Sequence, residues 1–380
     1  MRLFLPFIFL FNLAGTFAQP LHLSSQARVS LITCGPWQGE LYSAFGHSAI
    51  RVYDPILQID VAFNYGTFDF NQPNFYLNFA RGRNLYMLSV QDYPLFRDHY
   101  ISYNRYIHEQ VLNLDGIRKD RLFDFLRDNA LPENRGYYYD YFYDNCSTRP
   151  RDVMKQVFGD SVIFNENPPY LQGHSIRGLT ELYLQHQPWG DLGIDICLGL
   201  PMDKEASALD YMFLPDYLET GFDLAQIRTM EGLQPLVLEK NLVYEAHPEV
   251  YPYSLTHPWV IFGLLLLLTV WVTAWHVSKW ELWLDRILFT VTGSIGLLLV
   301  LLWFATDHRA AAWNFNLLWA MPLNLTIPFL NESLRRKYFL SMSILSAVLL
   351  LSWAFLPQQL NIFLVPVVIS LLLRYWKNFR

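Results

Sequence analysis

Short stretches in which apolar and polar residues alternate recur through the first two thirds of the chain. Alternation is the pattern of a strand with one buried face. It predicts strands at residues 27–34, 47–54, 58–66, 86–90 and 106–114. Apolar residues at helical spacing predict helices at 117–129, from 147 or 148 to about 158, and at 175–186. This part of the chain is therefore expected to form an α+β domain.

The stretch from residue 187 to residue 257 has a weaker pattern. Its glycines and prolines predict turns at 187–201, a short helix at 203–213 and strands at 222–229 and 233–244. Pro248, Pro252 and Pro258 then interrupt the chain. We expect the α+β domain to end near residue 215 and residues 216–257 to be a linker that contains strands.

Long apolar stretches replace this pattern after Pro258. They predict five transmembrane helices within 258–375, at residues 259–275, 287–304, 313–330, 339–355 and 362–373. Pro322 and Pro328 interrupt the third stretch, and the fifth is short. The loops on one side carry most of the basic residues, namely Lys279, Arg286, Arg335, Arg336, Lys337, Arg374, Lys377 and Arg380. The positive-inside rule places these loops and the tail 376–380 in the cytoplasm, with the α+β domain outside.

The N-terminus and the composition agree with this topology. Met1 and Arg2 supply positive charge, residues 3–13 are apolar, and residues 16–18 have the small residues of a cleavage site. Residues 1–18 are therefore predicted to be a signal peptide and residues 20–215 an exported catalytic domain. The net charge of −6, without a basic stripe interleaved with aromatic residues, argues against a nucleic-acid partner.

Cys146 has the setting of a reactive cysteine. It follows the tyrosine-rich run 137–143 and comes just before a predicted helix whose first turn contains Pro150. A helix N-terminus stabilises a thiolate, which is the nucleophilic form of cysteine. Most lone cysteines are small buried residues, but the polar neighbours Asp144, Asn145 and Arg149 are unlike a core.

Histidine 47 is the candidate base. It lies between Gly46 and Ser48 where the second predicted strand begins, a polar step unlike the surroundings of His99, His108, His174 or His186. A histidine on a rigid strand can accept the thiol proton and later return it to a leaving group. The alternative is a structural histidine held by hydrogen bonds.

The cysteines and histidines could also serve a disulfide or a metal site. In an oxidising compartment Cys34 and Cys197 either form a disulfide or remain buried thiols. No group of histidine, cysteine and carboxylate residues has the spacing of a zinc site, so neither a metal nor another cofactor is expected.

Two separated motifs carry a resemblance to a known family. SLITCGPWQGELYSAFGHSAIRV contains His47, and YDYFYDNCSTRPRD contains Cys146. Both resemble the exported domain of the Lnb-type lipoprotein N-acyltransferases, a member of the circularly permuted papain-like superfamily that includes the NlpC-like proteins. The resemblance covers about residues 28–215, and a membrane domain with several spans suits it. It implies an α+β permuted papain-like cysteine-enzyme domain followed by an all-α membrane domain.

The resemblance also implies a reaction and its partners. Cys146 would take an acyl chain from a phospholipid as a thioester, with His47 as base, and the N-terminal amine of a lipid-modified lipoprotein would accept that chain. The protein would then lie in the bacterial inner membrane with its catalytic domain facing the periplasm.

Further residues are assigned roles in this expected site. Asn64 or Tyr65, on the strand next to His47, would orient the histidine. The Cys146 backbone N–H and its neighbours, Asn145 among them, would hold an oxyanion. Arg51 and Arg149 would bind a phosphate head group, unless they form surface salt bridges.

Two other classes of function remain open at this stage. The same fold and residues serve peptidoglycan amidases and peptidases, so a membrane-tethered cysteine hydrolase is the second interpretation. It predicts an open polar groove and needs only one anchor. A binding module that has kept the fold without activity is the third. A transporter is disfavoured because the predicted spans contain few ionisable residues.

Overall fold

The structure is a computed structural model that describes residues 21–69, 71–251, 254–275 and 278–380. The predicted signal peptide, 1–18, lies outside the described residues. The predicted strands and helices that follow it lie within the described residues.

Seven antiparallel strands form the main sheet of the N-terminal domain, in the order β10-β5-β1-β2-β3-β4-β6. A second, three-stranded sheet has the order β7-β8-β9. The strands are β1 (Arg28–Cys34), β2 (His47–Asp54), β3 (Ile59–Thr67), β4 (Leu85–Asp92), β5 (Ile107–Leu112), β6 (Gly136–Tyr138), β7 (Val162–Ile163), β8 (Gln226–Thr229), β9 (Gly232–Pro235) and β10 (Val237–Tyr244).

Eight helices accompany these strands, and four more follow in the C-terminal part of the described chain. They are α1 (Phe75–Ala80), α2 (Tyr93–Ser102), α3 (Gly116–Asn129), α4 (Thr148–Phe158), α5 (Ile176–Tyr183), α6 (Pro188–Cys197), α7 (Ala208–Tyr211), α8 (Pro215–Asp223), α9 (Pro258–Trp275), α10 (Ser278–Phe304), α11 (Glu332–Ser352) and α12 (Val365–Phe379).

The main sheet is buried on both faces. Alternate residues of β1 to β3 point to α3 and α4 on one face, and the residues between them point to α2 on the other. Ile50 and Phe63 belong to the first face, and Cys34, Ala49 and Ala62 to the second. This alternation decides which polar residues meet at the ends of the strands.

The predictions for residues 187–244 were partly wrong. Residues predicted as turns form α6, in which Pro188 occupies the first turn, where a proline is tolerated. Leu192 and Ile196 of α6 pack against the membrane domain, and this burial outweighs the glycines that had suggested turns. Phe222 lies at the end of α8 and not in a strand. The stretch assigned to a linker also contains β10, which pairs with β5 at the edge of the main sheet.

Four helices of the described chain are long and apolar enough to cross a membrane. Five had been predicted, and the third, at 313–330, is not a regular helix. Its residues form 3-10 turns at Phe315–Leu318 and Pro322–Phe329. Pro322 and Pro328 explain the difference, because each lacks the N–H that an α-helix requires.

This irregular segment nevertheless runs through the membrane domain. The Phe315 N–H donates to Oε1 of Gln358 (2.7 Å), and Nε2 of Gln358 donates to the Leu198 carbonyl of the N-terminal domain (3.0 Å). The start of the segment and the residues after α11 therefore lie on the same side of the membrane domain, next to the N-terminal domain. Since α11 follows the segment directly, the segment must run in the opposite direction beside it.

Burial in protein accommodates the irregular backbone around Trp319 and Ala320. Non-helical backbone is tolerated at membrane depth only where protein, and not lipid, surrounds it. Trp319 and Ala320 are almost completely buried. A Cβ atom at Gly296 of α10 would lie 1.8 Å from the Ala320 carbonyl oxygen, so the glycine is what lets the two backbones approach.

Candidate active site

The loop before α4 is held by Asn145. Its Oδ1 accepts hydrogen bonds from the Ser147 and Thr148 N–H groups, both at 2.8 Å, and so caps the helix. Its Nδ2 donates to the carbonyls of Tyr141 and Phe213. All the hydrogen-bonding groups of the Asn145 side chain are thus used in fixing the loop, and its part in holding an oxyanion stays a prediction.

Cys146 lies at the mouth of α4, against the end of β3. The pairing of β3 with β4 is irregular between Asn64 and Thr67, and Gly66 there has a φ of +89°. This conformation is easily adopted only by glycine. A Cβ atom at Gly66 would lie 3.4 Å from the Cβ of Cys146, an ordinary van der Waals contact, so the cysteine packs directly against this turn of the sheet and the positive φ is what favours glycine.

His47 and Asn64 meet on the face of the sheet that α2 covers. His47 is the first residue of β2 and pairs with Cys34 of β1. Asn64 is on β3, and its Oδ1 lies 2.6 Å from Nε2 of His47. Because this carbonyl oxygen can only accept, Nε2 carries the proton and Nδ1 is left as the basic nitrogen.

Tyr65 does not share this face. Successive residues of a strand point in opposite directions, and Tyr65 is buried in the core beside α3, where its hydroxyl donates to Oδ1 of Asn129 (2.6 Å). Of the two residues predicted to orient His47, the structure brings only Asn64 to the histidine.

The electrostatic surroundings distinguish Cys146 from the other cysteines. Burial alone would raise the pKa of the Cys146 thiol. The charge and hydrogen bond of His47, the backbone N–H of Ser48 and the hydroxyl of Ser147 outweigh that effect and hold this pKa below its ordinary value. Burial raises the pKa of Cys34 and of Cys197, so both favour the thiol form.

No disulfide joins Cys34 and Cys197, and all three cysteines are free. Cys34 lies within the main sheet beside α2. Cys197 is the last residue of α6, and its carbonyl oxygen accepts a hydrogen bond from Asn314 of the membrane domain. The pairing that the sequence left open therefore does not form. Among the described residues, no three histidine, cysteine or carboxylate side chains are grouped to hold a metal ion.

Two further residues, which the sequence patterns did not single out, support His47. The ring of Tyr100 on α2 stacks on the imidazole with 5.9 Å between centroids and 14° between planes. The guanidinium of Arg105 lies 4.6 Å from the centre of the Tyr100 ring, and its Nε donates to the Gly35 carbonyl (2.6 Å). The sequence analysis assigns no element to residues 93–102, where the structure has α2, so no signal in the sequence brought Tyr100 to the site.

Arg51 is fully engaged within the main sheet. Its Nε donates to Oδ1 of Asp60 (2.7 Å) and its Nη1 to Oε1 of Glu109 (3.1 Å). The guanidinium also lies 3.7 Å from the centre of the Tyr93 ring. These two ion pairs are the salt-bridge alternative that the sequence left open, and a role of Arg51 in binding a head group stays a prediction.

Arg149 is paired in a similar way. It forms an ion pair with Asp144 and lies 3.9 Å above the centre of the Tyr137 ring. It lines a cavity of about 770 Å³ between α3 and α4, which also contains Asp128, Glu133 and Asp152. An anionic head group would meet these carboxylates, so Arg149 is not placed as an anion-binding residue either.

Comparison with known families covers both parts of the chain. The model of the Lnb N-terminal periplasmic domain matches residues 21–173, and the model of the Lnb transmembrane domain matches residues 252–380. Searches of the curated proteins and of the solved structures found no match. The resemblance carried by the two sequence motifs is thus confirmed. The chain belongs to the Lnb family and is a membrane protein with a periplasmic domain followed by a transmembrane domain.

Proposed function

We propose that this protein is a thiol-dependent acyltransferase that moves an acyl chain from a phospholipid to the N-terminal amine of lipoproteins. The observation that carries the proposal is the arrangement of Cys146, His47 and Asn64 on a domain joined directly to a membrane domain. An activated nucleophile, a base and a residue that orients the base are what covalent acyl transfer requires.

The first half of the reaction forms a thioester. Nδ1 of His47 accepts the thiol proton, and the Cys146 thiolate attacks the carbonyl carbon of a phospholipid ester. The C–O bond then breaks, and the lysophospholipid oxygen leaves with the proton from His47. The Cys146 N–H, which makes no backbone hydrogen bond within the described residues, would stabilise the oxyanion of the tetrahedral intermediate.

The second half transfers the acyl chain. The α-amine of the lipid-modified cysteine of a lipoprotein attacks the thioester carbonyl, and the C–S bond breaks. His47 accepts a proton from the amine, and Cys146 returns as the thiolate. Water must be kept away during this step. Tyr139 and Tyr141 are suited to that, because both phenols are buried close to the Cys146 sulfur.

The fold and the location of the protein are part of the same proposal. The order His47, Asn64, Cys146 along the chain, with the cysteine at a helix mouth and the histidine on an antiparallel sheet, supports a permuted papain-like domain. A periplasmic domain that draws on phospholipid supports a location in the bacterial inner membrane. The phospholipid donor and the lipoprotein acceptor are its expected partners.

Intact-mass analysis of the full chain in phospholipid vesicles tests the proposal. Wild type should gain the mass of one acyl chain, and Cys146→Ala should gain none. Adding a diacylglyceryl lipopeptide should remove that mass from the enzyme and add it to the peptide amine. A wild-type protein that acquires no acyl chain but cleaves peptidoglycan fragments would instead establish a cysteine hydrolase and refute the proposal.

A further inference from the structure

Helix α1 exposes apolar side chains close to the candidate active site. Tyr76, Leu77 and Phe79 are 78 %, 55 % and 54 % exposed, although Phe75 beside them is buried. Arg81 follows at once and is also exposed. A short segment with apolar and aromatic residues ahead of a basic residue is typical of a segment that lies in the interface of a membrane.

Contacts with the membrane domain fix the depth of α1. The Asp307 N–H donates to the Arg81 carbonyl (2.9 Å), and Nε2 of His308 donates to the Phe79 carbonyl (3.1 Å). Arg83 forms an ion pair with Asp307 at 2.6 Å. Residues 307 and 308 follow α10 within one turn, so α1 lies where that span leaves the hydrocarbon.

Aromatic residues at the same end of α10 support this depth. The rings of Trp303 and Trp313 are in contact, with 5.0 Å between centroids. Phe304 and Trp313 are 72 % and 62 % exposed on the outside of the domain. Tryptophan is enriched where a protein meets the boundary between membrane and water.

A continuous row of rings joins α1 to Cys146. We call it the aromatic row and define it as Phe75, Phe68, Tyr86 and Tyr139. The centroids of successive rings are 5.9, 5.0 and 4.2 Å apart. Cε2 of Tyr139 and Cβ of Cys146 lie 3.5 and 3.4 Å from the position of a Cβ atom at Gly66, so the row ends beside the nucleophile.

We propose that α1 is inserted in the periplasmic leaflet of the membrane and that the aromatic row guides a phospholipid acyl chain from that leaflet to Cys146. The insertion stands by itself, and the route of the acyl chain rests on the proposed function. Every methylene that leaves the bilayer for water costs free energy. An apolar path that starts at the depth of the lipid ester avoids this exposure, and it brings the ester to the thiolate from the membrane side.

Photo-crosslinking in vesicles of phosphatidylethanolamine and phosphatidylglycerol tests the insertion. A photo-reactive amino acid at position 77 of the full chain should form a covalent adduct with phospholipid. The same amino acid at position 117 of α3, where Ile117 is 75 % exposed, serves as the matched control and should form none. An equal yield at both positions, or no adduct at position 77, would overturn the insertion.

A comparison of two acyl donors tests the route. Leu77→Asp should slow the formation of the Cys146 thioester from vesicle phospholipid at least tenfold, and Ile117→Asp should not. With 4-nitrophenyl butyrate, a water-soluble ester, both variants should react like wild type. Equal losses on both donors would mean that position 77 affects Cys146 itself and would refute the route. A wild-type protein that forms a thioester from neither donor would refute the proposed function, while the crosslink would still decide the insertion.

Discussion

Nε2 of His47 and Oδ1 of Asn64 lie 2.6 Å apart across two neighbouring strands. The contact fixes the imidazole in the tautomer whose other nitrogen, Nδ1, can accept the thiol proton of Cys146. It is available only because β2 and β3 present both side chains on the face covered by α2. In the proposed reaction, the register of β2 and β3 therefore positions the base.

Replacing Asn64 by alanine should reduce acyl transfer on the order of tenfold to a hundredfold, because His47 would lose the partner that orients its ring. The rate of thioester formation measures this. Asn64→Asp should recover part of the loss, since a carboxylate oxygen can accept the same hydrogen bond.

Tyr65→Phe is the control for the Asn64 variant. It removes the hydroxyl that donates to Asn129 on the other face of the same strand. We expect it to lower stability by about 1 kcal/mol and to leave the rate of the folded enzyme unchanged. Equal loss of rate in Tyr65→Phe and Asn64→Ala would contradict an orienting role for Asn64.

The pH dependence of Cys146 alkylation should reveal the influence of His47. Because His47 and nearby donors lower the pKa of the Cys146 thiol, iodoacetamide should modify it at a lower pH than an ordinary cysteine. In His47→Ala only the Ser48 N–H and the Ser147 hydroxyl would oppose the effect of burial, so the alkylation profile should move to higher pH. Acyl transfer should fall by about 10²–10⁴-fold in the same variant.

Mass spectrometry of the alkylated peptides assigns the modification to one residue. Cys34 and Cys197 serve as internal references, since burial raises the pKa of each. An unchanged Cys146 profile in His47→Ala would show that the histidine does not stabilise the thiolate.

Tyr100 is expected to act through its ring. Tyr100→Phe keeps the surface that stacks on His47 and should retain most activity. Tyr100→Ala removes the stacking and leaves a cavity, so it should lower stability by about 3–5 kcal/mol and also slow the reaction. Measuring the rate per folded molecule, after correction for the unfolded fraction, separates the two effects. A normal rate per folded Tyr100→Ala molecule would leave Tyr100 with a packing role only.

Much of the site followed from local patterns, and the exceptions have identifiable causes. Alternation predicts β1 to β3, and Pro150 predicts the start of α4, so the sequence alone singles out Cys146 and His47. The same alternation could have excluded Tyr65, given that His47 and Asn64 share a face. Tyr100 could not be found, because its contact with His47 depends on how α2 packs over the sheet.

The membrane domain illustrates a second limit of the sequence. Hydropathy registers the apolar character of 313–330 but not its backbone, and a buried irregular segment is as apolar as a helix. Asn324 shows what holds this segment: its Nδ2 donates to Thr292 (2.9 Å), and the hydroxyls of Tyr338 and Tyr375 donate to its Oδ1 (2.6 and 2.8 Å). Such partners, far apart in sequence, appear only once the helices are packed.

Arg177 should be among the residues most important for stability. Its side chain is completely buried and pairs with Asp195 and Asp203, both at 2.9 Å. Arg177→Met would leave two buried carboxylates without a counter-charge, which costs about 3–5 kcal/mol. Denaturant unfolding in detergent measures the loss.

Arg28→Met is the matched control for that variant. Arg28 also pairs with a carboxylate, that of Glu239 at 3.7 Å, but both side chains are at least half exposed. Exposed pairs contribute about 0–1 kcal/mol. If the two variants lose a similar free energy of unfolding, the buried ion pairs of Arg177 contribute no more to stability than an exposed pair does.

The junction between the two domains should weaken as the pH rises. Burial, followed by the charges of Asp195 and Asp191, raises the pKa of Glu181 to about 7. Burial and Asp195 raise the pKa of Asp191 to about 6. Gln359 donates to Glu181, and Asn361 to Asp191, so both carboxyls face the segment between α11 and α12.

The sign of the effect follows from proton binding. These carboxyls hold protons in the folded state at pH values where they have lost them in the unfolded chain, so the folded state binds more protons and stability falls with rising pH. The fall should begin near their ordinary values of 4.5 and 3.8 and end above the folded pKa of about 7. The melting temperature should therefore be higher at about pH 5.5 than at about pH 8.

Glu181→Gln tests whether this residue carries the effect. The neutral amide keeps the size of the side chain and removes a buried charge that is repelled by Asp195 and Asp191, so the variant should melt at a higher temperature than wild type near pH 8. Below about pH 4.5, where Glu181 is protonated in both the folded and the unfolded state, the two proteins should melt alike. Glu205→Gln, at an exposed residue whose own backbone pairs with that of Ser175, should keep the wild-type pH profile. A wild-type slope that persists in Glu181→Gln would assign the pH dependence to Asp191 and Asp195, whose pKa values burial also raises.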